Sequence, residues 1–232
     1  FKAEEARVVA QAEQVPFPQY HATLENAYIY NEQEAQTFMP GKAESQPITL
    51  TECPIDVSGL KPFRVGRFGA ERKDNLGNDF FLNAGGPVND LAWCPQPFGL
   101  SEETCPPPEL MHSFLAISTF RDMEEPHPLG DFTPSKRNII QIWDLGSLNN
   151  VGSNDNDFVP FMTLALTHEM DFVQQIVWCP VATPQPNDEA QFRAEEGQLA
   201  RLGLLAAVLA DGSVSVFSVP HPHAVHLELD HD

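Results

Sequence analysis

Basic side chains are scarce in this sequence, and their scarcity restricts what it can bind directly. The 232 residues include 13 lysines and arginines against 33 aspartates and glutamates, a formal net charge of −20. Such an acidic surface repels phosphate groups at ordinary salt, so we do not expect most of the chain to bind duplex nucleic acid. For most of the surface we interpret the acidity as a source of solubility.

Cysteines and long apolar runs are also lacking. The four cysteines include no Cys-x-x-Cys pair, which argues against a zinc or disulfide framework and fits a reducing compartment. Cys94 and Cys179 each follow a tryptophan, and we interpret both as small buried hydrophobic residues. No apolar run approaches the roughly 20 residues of a membrane helix, and no signal peptide is recognisable. Because the first residue is Phe1, we expect a fragment or a trimmed chain.

The motifs of common enzymes are missing as well. The sequence has no Gly-x-Ser-x-Gly, no phosphate-binding Gly-rich loop and no His-Glu-x-x-His. Its last residues are rich in histidine: His221, His223, His226 and His231. Alternating histidines on a strand can bind a metal, but Pro220 and Pro222 interrupt this run. We therefore predict no catalytic, cofactor or metal site, and an enzyme or metal site at this end is the alternative.

What the sequence does contain is a repeat. The stretch 88–95 alternates apolar and polar residues and ends in Trp93-Cys94-Pro95, and the stretch 172–180 ends in Trp178-Cys179-Pro180. The two tryptophans are 85 residues apart (178 − 93). Alternation predicts a strand with one face on the core, and the proline predicts its end. We expect both tryptophans to point into a core.

Matching segments follow each copy of the repeat. An apolar run comes next, at 114–118 in the first copy and at 202–209 in the second, and then an alternating run, at 139–145 and 213–219. This ordered triple is typical of β-propeller blades, and Trp143-Asp144 is the dipeptide of WD repeats. We predict an all-β fold, a partial WD-repeat β-propeller of about two four-stranded antiparallel blades. Residues 158–166 and 223–229 would supply the outer strands.

WD-repeat blades can contain a buried polar chain of His, Ser or Thr, Asp and Trp. The structural blade positions predicted here are Trp93, Ser118, Trp143, Asp144, His168, Trp178, Asp211, Gly212 and Phe217. The set is broken up, because Gly85-Gly86 stands where the first His would be and Phe217 replaces the second Trp. We expect His168 and Asp211 to stabilise the fold, and Asp211-Gly212 also to form a hairpin turn.

The predicted organisation is an N-terminal extension, residues 1–77, followed by blades at 78–232, the first about 85–167 and the second about 168–229. The extension is largely irregular, with a possible short helix before Pro16 and strands near 48–51 and 63–68. It carries the one basic concentration of the sequence: Lys61, Arg64, Arg67, Arg72 and Lys73. This basic arm either contacts phosphate or an acidic partner, or pairs with the protein's own acidic surface.

Long proline-rich gaps separate the strands, at 96–112, 121–137 and 181–200. Insertions at corresponding positions of successive repeats emerge on one face, so these loops are candidates for partner contacts. Tolerated variation in loop length explains them equally well. Phe80-Phe81-Leu82 could be the outer strand of a neighbouring blade.

Several stretches together resemble one family. They are 85–88 running into Trp93-Cys94-Pro95, then 127–129, 142–148, 201–205 and 211–222. The chain resembles the WD-repeat beta subunits (polypeptide 2) of general transcription factor IIIC, from about residue 80 to residue 224. Members of that family have more blades, so the resemblance implies that the rest of the ring lies outside this sequence.

The resemblance implies a nuclear, non-catalytic scaffold that supports promoter recognition and RNA polymerase III transcription of tRNA genes. Its expected partners are the other subunits of transcription factor IIIC, especially the largest, and its expected association with DNA is mainly through the complex. No cofactor, small-molecule substrate or membrane is expected. The alternatives are a WD-repeat scaffold of another nuclear complex, in chromatin or a ubiquitin ligase, and direct DNA binding through the basic arm.

Overall fold

The structure is a computed structural model that describes residues 22–23, 25, 27–38, 48–50, 53–55, 65–67, 80–96, 112–121, 137–147, 158–180 and 198–229. In chain order, the helices and strands are α1 (Glu32–Gln36), β1 (Ile48–Leu50), β2 (Cys53–Ile55), β3 (Val65–Arg67), β4 (Phe80–Leu82), β5 (Val88–Trp93), β6 (Phe114–Thr119), β7 (Asn138–Asp144), β8 (Phe161–His168), β9 (Val173–Trp178), β10 (Arg201–Leu209), β11 (Val214–Pro220) and α2 (Pro222–Leu229). The described residues are mostly strand, which confirms the all-β prediction. No helix among them is long and apolar enough to cross a membrane.

The first large sheet is a four-stranded antiparallel meander in the order β5-β6-β7-β8. Cross-strand rows follow from the register, such as Ala92–Ala116–Ile142–Leu164 on one face and Trp93–Leu115–Trp143–Met162 on the other. The central strands β6 and β7 are buried along their whole length. β8 lies at the edge directly after Pro160, as predicted for the segment 158–166.

The second large sheet has three antiparallel strands in the order β11-β10-β9. Its rows include Trp178–Leu205–Phe217 on one face and Val177–Ala206–Val216 on the other. The pairing of β9 with β10 skips Gln174, and the pairing of β5 with β6 skips Asn89, its counterpart 85 residues earlier. The two first strands therefore share a bulge as well as a sequence pattern.

The main core lies between the two large sheets. It contains Ala116, Ile140 and Ile142 from the first sheet, and Ile176, Trp178 and Leu205 from the second, all nearly or fully buried. A smaller cluster covers the outer face of the first sheet, where Leu82 and Ala84 pack against Leu115, Ile117 and Trp143. β4 pairs with β3 in a separate two-stranded sheet. The segment 80–84 therefore belongs to a separate sheet and contacts the outer face of the first sheet, and its assignment to a neighbouring blade stays a prediction.

The prediction of an outer strand at 223–229 is wrong. These residues form α2, which begins at Pro222 directly after β11. Proline is well tolerated in the first turn of a helix because its missing N–H would have no helical partner there. In a paired strand, Pro222 would remove a ladder donor. Ala224 and Val225 of α2 pack against Leu199, so the helix covers the start of β10.

The N-terminal extension is only partly described. α1 begins after Asn31, whose side chain accepts a hydrogen bond from the Glu34 amide while Glu34 accepts one from the Asn31 amide. This capping box explains a helix in a region that the sequence suggests is irregular. Strands β1 and β3 lie at the predicted stretches. The predicted helix before Pro16 lies outside the described residues, as do most of the three proline-rich gaps.

Candidate interaction surfaces

The first strands of the two sheets have equivalent residues in different surroundings. Three apolar side chains of β9 face the first sheet and are 1–4% exposed: Val173, Ile176 and Trp178. Their counterparts 85 residues earlier lie on the outer face of β5 and are 50–53% exposed: Val88, Leu91 and Trp93. The expectation that both tryptophans are core residues is therefore wrong for Trp93. We call Val88, Leu91 and Trp93 the Trp93 face.

Polar groups fix the second sheet against the first. The Trp178 Nε1 donates to the Ala92 carbonyl at 3.0 Å, and the Asp90 carboxylate accepts from the Ile176 amide at 2.8 Å. The Asn89 side chain donates to the Val173 carbonyl at 2.6 Å. Because each bond joins side chain to backbone, it fixes the position of one first strand along the other. We call the face of each sheet that carries Trp93 or Trp178 its front and the opposite face its back. The front of the second sheet thus lies on the back of the first.

The back of the second sheet is open and apolar. Val177, Val214 and Val216 are 52–64% exposed there, with half-buried Ala206 and Val208 between them. The row Val177–Ala206–Val216 is the counterpart of Ala92–Ala116–Ile142, the row that the second sheet covers on the first. We call Val177, Val214 and Val216 the Val216 face. Exposed apolar patches of this kind are typical of interaction surfaces.

Trp143 and Ser118 take part in polar contacts within the first sheet. The Trp143 indole is fully buried and donates to the Gln141 Oε1 at 2.9 Å, while the Gln141 amide donates to the Ala84 carbonyl at 2.7 Å. The Ser118 hydroxyl donates to the Asp90 carbonyl at 3.4 Å. Gln141 therefore links the Trp143 indole to the Ala84 carbonyl, next to Gly85-Gly86, where the WD pattern would have its His. This residue was missing from the predicted positions, because glutamine on a buried strand gives no distinctive motif.

Asp144 is paired with a histidine that sequence reasoning missed. Its carboxylate lies 2.7 and 2.8 Å from the Nδ1 of His112 and accepts the Gly146 amide at 2.8 Å. His112 precedes β6, and Phe114 is the register partner of Asp144. Antiparallel pairing of the two predicted strands was the signal that could have placed His112 beside Asp144. This contact joins the residue that precedes β6 to the last residue of β7.

His168 is buried at the end of β8. Burial lowers its pKa from 6.5 to about 4, with the nearby Asp171 charge acting in the opposite direction. The Met170 amide donates to its Nδ1 at 3.4 Å, which places the ring proton on Nε2. That Nε2 has no hydrogen-bond partner in the described part of the chain. The structural role predicted for His168 stays a prediction.

We expect the protein to lose stability as the pH falls from about 6.5 to about 4. The pKa of His168 is lowered to about 4 and that of His221 to about 3 in the folded state, so the unfolded state binds more protons below pH 6.5. Each imidazole then lowers the free energy of unfolding by up to about 1.4 kcal/mol per pH unit. Urea unfolding at pH 7, 6, 5 and 4.5 measures this slope.

His168→Gln should reduce the pH dependence of the unfolding free energy by up to about 1.4 kcal/mol per pH unit, because glutamine does not titrate, and should leave the contribution of His221. His226→Gln is the matched control, since His226 lies on the exposed side of α2, and it should retain the original slope. An unchanged slope in His168→Gln would show that the buried imidazole does not couple folding to protonation.

The predicted turn and its neighbour lie in the second sheet. Asp211 and Gly212 connect β10 to β11, and Gly212 has φ +83°, which confirms the hairpin turn. The exposed Asp211 carboxylate accepts from the Ser213 amide at 2.9 Å, and the hydrogen bonds from Ser213 lower its pKa. Phe217 lies on the inner face opposite Leu205. The structure does not bring His168 and Asp211 together in a shared polar chain.

The histidine-rich end forms part of an aromatic cleft. About 210 Å³ in volume, the cleft is lined by His112, Phe114, Asp144, Phe158, Phe161, Thr163, His221, Pro222, His223 and His226. His221 is 4% exposed, and burial, together with smaller electrostatic effects of His223 and His112 in the same direction, lowers its pKa to about 3. Among the described residues, no group of three or more His, Cys, Asp or Glu could hold a metal ion. His231 lies outside the described residues.

The remaining residues singled out in the sequence are the cysteines and the basic arm. Cys94 is buried, and burial raises its pKa to about 12, so it is a hydrophobic thiol as predicted. Cys179 is only partly buried. Arg67 ends strand β3, and the other four basic residues, Lys61, Arg64, Arg72 and Lys73, lie outside the described residues. Contact of this arm with phosphate therefore stays a prediction.

Comparison with known proteins finds relatives but no matching protein-family model. The chain is 27% identical over 202 residues to "General transcription factor 3C polypeptide 2" of Homo sapiens and of Pongo abelii, which covers 85% of this chain and 20% of each relative. It is 28% identical over 141 residues to "Transcription factor tau subunit sfc6" of Schizosaccharomyces pombe, covering 61% of the chain and 18% of that protein. The chain thus spans about a fifth of the length of these curated relatives, and its similarity to transcription factor IIIC subunits is supported over most of its own length.

Proposed function

We propose that this chain is part of a non-catalytic scaffold subunit of transcription factor IIIC. Its similarity to general transcription factor 3C polypeptide 2 over 85% of the chain is the observation that carries the proposal. In this role it acts in the nucleus and supports promoter recognition and RNA polymerase III transcription of tRNA genes. Its partners are the other subunits of the complex, especially the largest, and its association with DNA is mainly through them.

The two large sheets are, in this proposal, consecutive WD-repeat blades of a β-propeller. Three features support it: each sheet is an antiparallel meander, the first strands repeat 85 residues apart, and the sheets stack front to back. Propellers are built by such radial repetition. Their broad surfaces and loops are suited to holding several partners, which fits a scaffold better than a reader of base sequence.

Affinity purification of the tagged full-length protein from nuclear extract tests the assignment. We expect the largest subunit of transcription factor IIIC to co-purify, and the tagged largest subunit to recover this protein in the reciprocal experiment. Recovery of chromatin or ubiquitin-ligase components alone, in both directions, would instead establish the alternative of a scaffold in another nuclear complex.

A further inference from the structure

A pocket of about 380 Å³ lies where the N-terminal extension meets the first sheet. One wall comes from α1 and the residues beside it, and the other from residues at the start of β7 and the end of β8. The lining residues are Tyr30, Glu34, Thr37, Phe38, Arg137, Thr167, His168 and Glu169. Both walls belong to this chain, and the pocket lies at strand ends instead of on a sheet face. A neighbouring propeller blade packs on sheet faces, so its presence does not decide whether this pocket is open.

One cation of the chain already occupies the pocket. The Arg137 guanidinium lies over the Phe38 ring, 5.2 Å from the ring centroid, and its Nη2 is 3.1 Å from the Glu169 Oε1. A guanidinium group is planar, so it can stack on an aromatic face and pair with a carboxylate at the same time. The chain thus shows, with a side chain of its own, which chemical group the pocket accepts.

Arg137 is held weakly in this position. The side chains of Arg137 and Glu169 are 46% and 61% exposed, and ion pairs as exposed as this one contribute little to stability. Moving the Arg137 guanidinium into water therefore costs little. A guest that carries the same group can replace it.

The charge of the pocket favours a cationic guest. The Glu34 carboxylate is also exposed there, so the lining has two carboxylates and one guanidinium. His168 adds no charge near pH 7, because burial lowers its pKa to about 4. The pocket is therefore negative, in a chain whose formal net charge is −20. Cationic segments are attracted to such a site over a longer range than the direct contacts reach.

We propose that this pocket binds an arginine side chain of a partner protein, which displaces Arg137 from the Phe38 ring and the Glu169 carboxylate. Beside the Phe38 ring lies that of Tyr30, 5.3 Å away between centroids, and Tyr28 follows at 6.2 Å from Tyr30. The two tyrosines are 38% and 69% exposed, so they offer contact area to the residues next to the guest arginine. The inference does not depend on which complex contains the chain.

A titration followed by NMR tests the proposal, with the complete 232-residue chain and the peptide acetyl-Gly-Gly-Arg-Gly-Gly-amide at about 0.15 M salt. We expect the amide signals of residues 30–38 and 167–169 to shift. The same peptide with citrulline, which has the shape of arginine but no charge, should leave them in place. Phe38→Leu removes the aromatic face and Glu169→Gln removes the charge, so each should weaken binding about two- to fivefold. Asp211→Asn, the matched control for Glu169→Gln, changes an exposed carboxylate outside the pocket and should bind the peptide as the unmodified protein does.

Arg137→Ala separates this proposal from general attraction to an acidic protein. It removes the resident competitor, so the variant should bind the arginine peptide about two- to fivefold more tightly. Arg121→Ala is the matched control, because it removes the same charge outside the pocket lining, and it should change the affinity less. The NMR spectrum of each variant verifies that it is folded. Shifts spread evenly over the surface, equal binding of the citrulline peptide, a folded Phe38→Leu variant with unchanged affinity, or equal affinities of the two arginine variants would each overturn the proposal.

Discussion

Replacing Trp178 with alanine is expected to lower the free energy of unfolding by about 3–5 kcal/mol, the usual cost of truncating a buried tryptophan. Its indole is 4% exposed between the two sheets. The ring fits closely against β10, because a Cβ added at Gly203 would lie 3.1 Å from its carbon atoms. The substitution would also leave the Ala92 carbonyl without its indole donor. Urea denaturation followed by circular dichroism measures the loss.

The chain supplies its own control at the equivalent position. Trp93→Ala removes the same atoms from a side chain that is 52% exposed, and we expect it to cost about 2 kcal/mol, roughly half as much, in proportion to the area that is buried. Equal losses for the two variants would contradict a core between the sheets.

Replacing Gly146 with alanine is expected to lower the free energy of unfolding by about 3 kcal/mol, combining left-handed strain with overpacking. Gly146 has φ +71°, and a Cβ there would lie 2.6 Å from the Cδ1 of Phe158. Phe158 is held by edge-on packing with the His112 ring at 5.2 Å and by the Phe161 ring at 6.0 Å. The aromatic ring therefore cannot move aside without disturbing its neighbours.

Gly212→Ala separates the cost of the left-handed backbone conformation from the cost of the steric clash. Gly212 has φ +83° in the hairpin turn, but no atom lies within 4 Å of an added Cβ. We expect a loss of about 1 kcal/mol from the backbone conformation alone. Thermal unfolding of both variants under one set of conditions gives the difference, which measures the clash with Phe158. A Gly146→Ala variant as stable as Gly212→Ala would show that the aromatic packing yields without cost.

The strands and their order could be predicted from sequence because alternation and terminal prolines are local signals. Trp93-Cys94-Pro95 and Trp178-Cys179-Pro180 both end first strands, and Asp211-Gly212 forms the predicted turn. The burial of each tryptophan could not be predicted, because it depends on which sheet lies in front. Trp178 lies against the first sheet, whereas Trp93, on the outer face of the first sheet, is 52% exposed.

The other differences also have physical causes outside local patterning. The place of 223–229 after the third strand of the second repeat predicts an outer strand, but Pro222 and the helix-forming residues after it favour α2. His112 was missed because it lies 32 residues from Asp144 and becomes its neighbour only through strand register. Gln141 was missed for the same reason, since its acceptor Ala84 lies 57 residues away.

Because the front and the back of each sheet differ, the stack of sheets has a direction. Inserting or deleting one complete repeat in such a stack leaves every remaining front facing a back. A packing of like faces would be broken by the same change. Gene duplication could therefore lengthen or shorten an assembly of this kind without any new interface having to evolve.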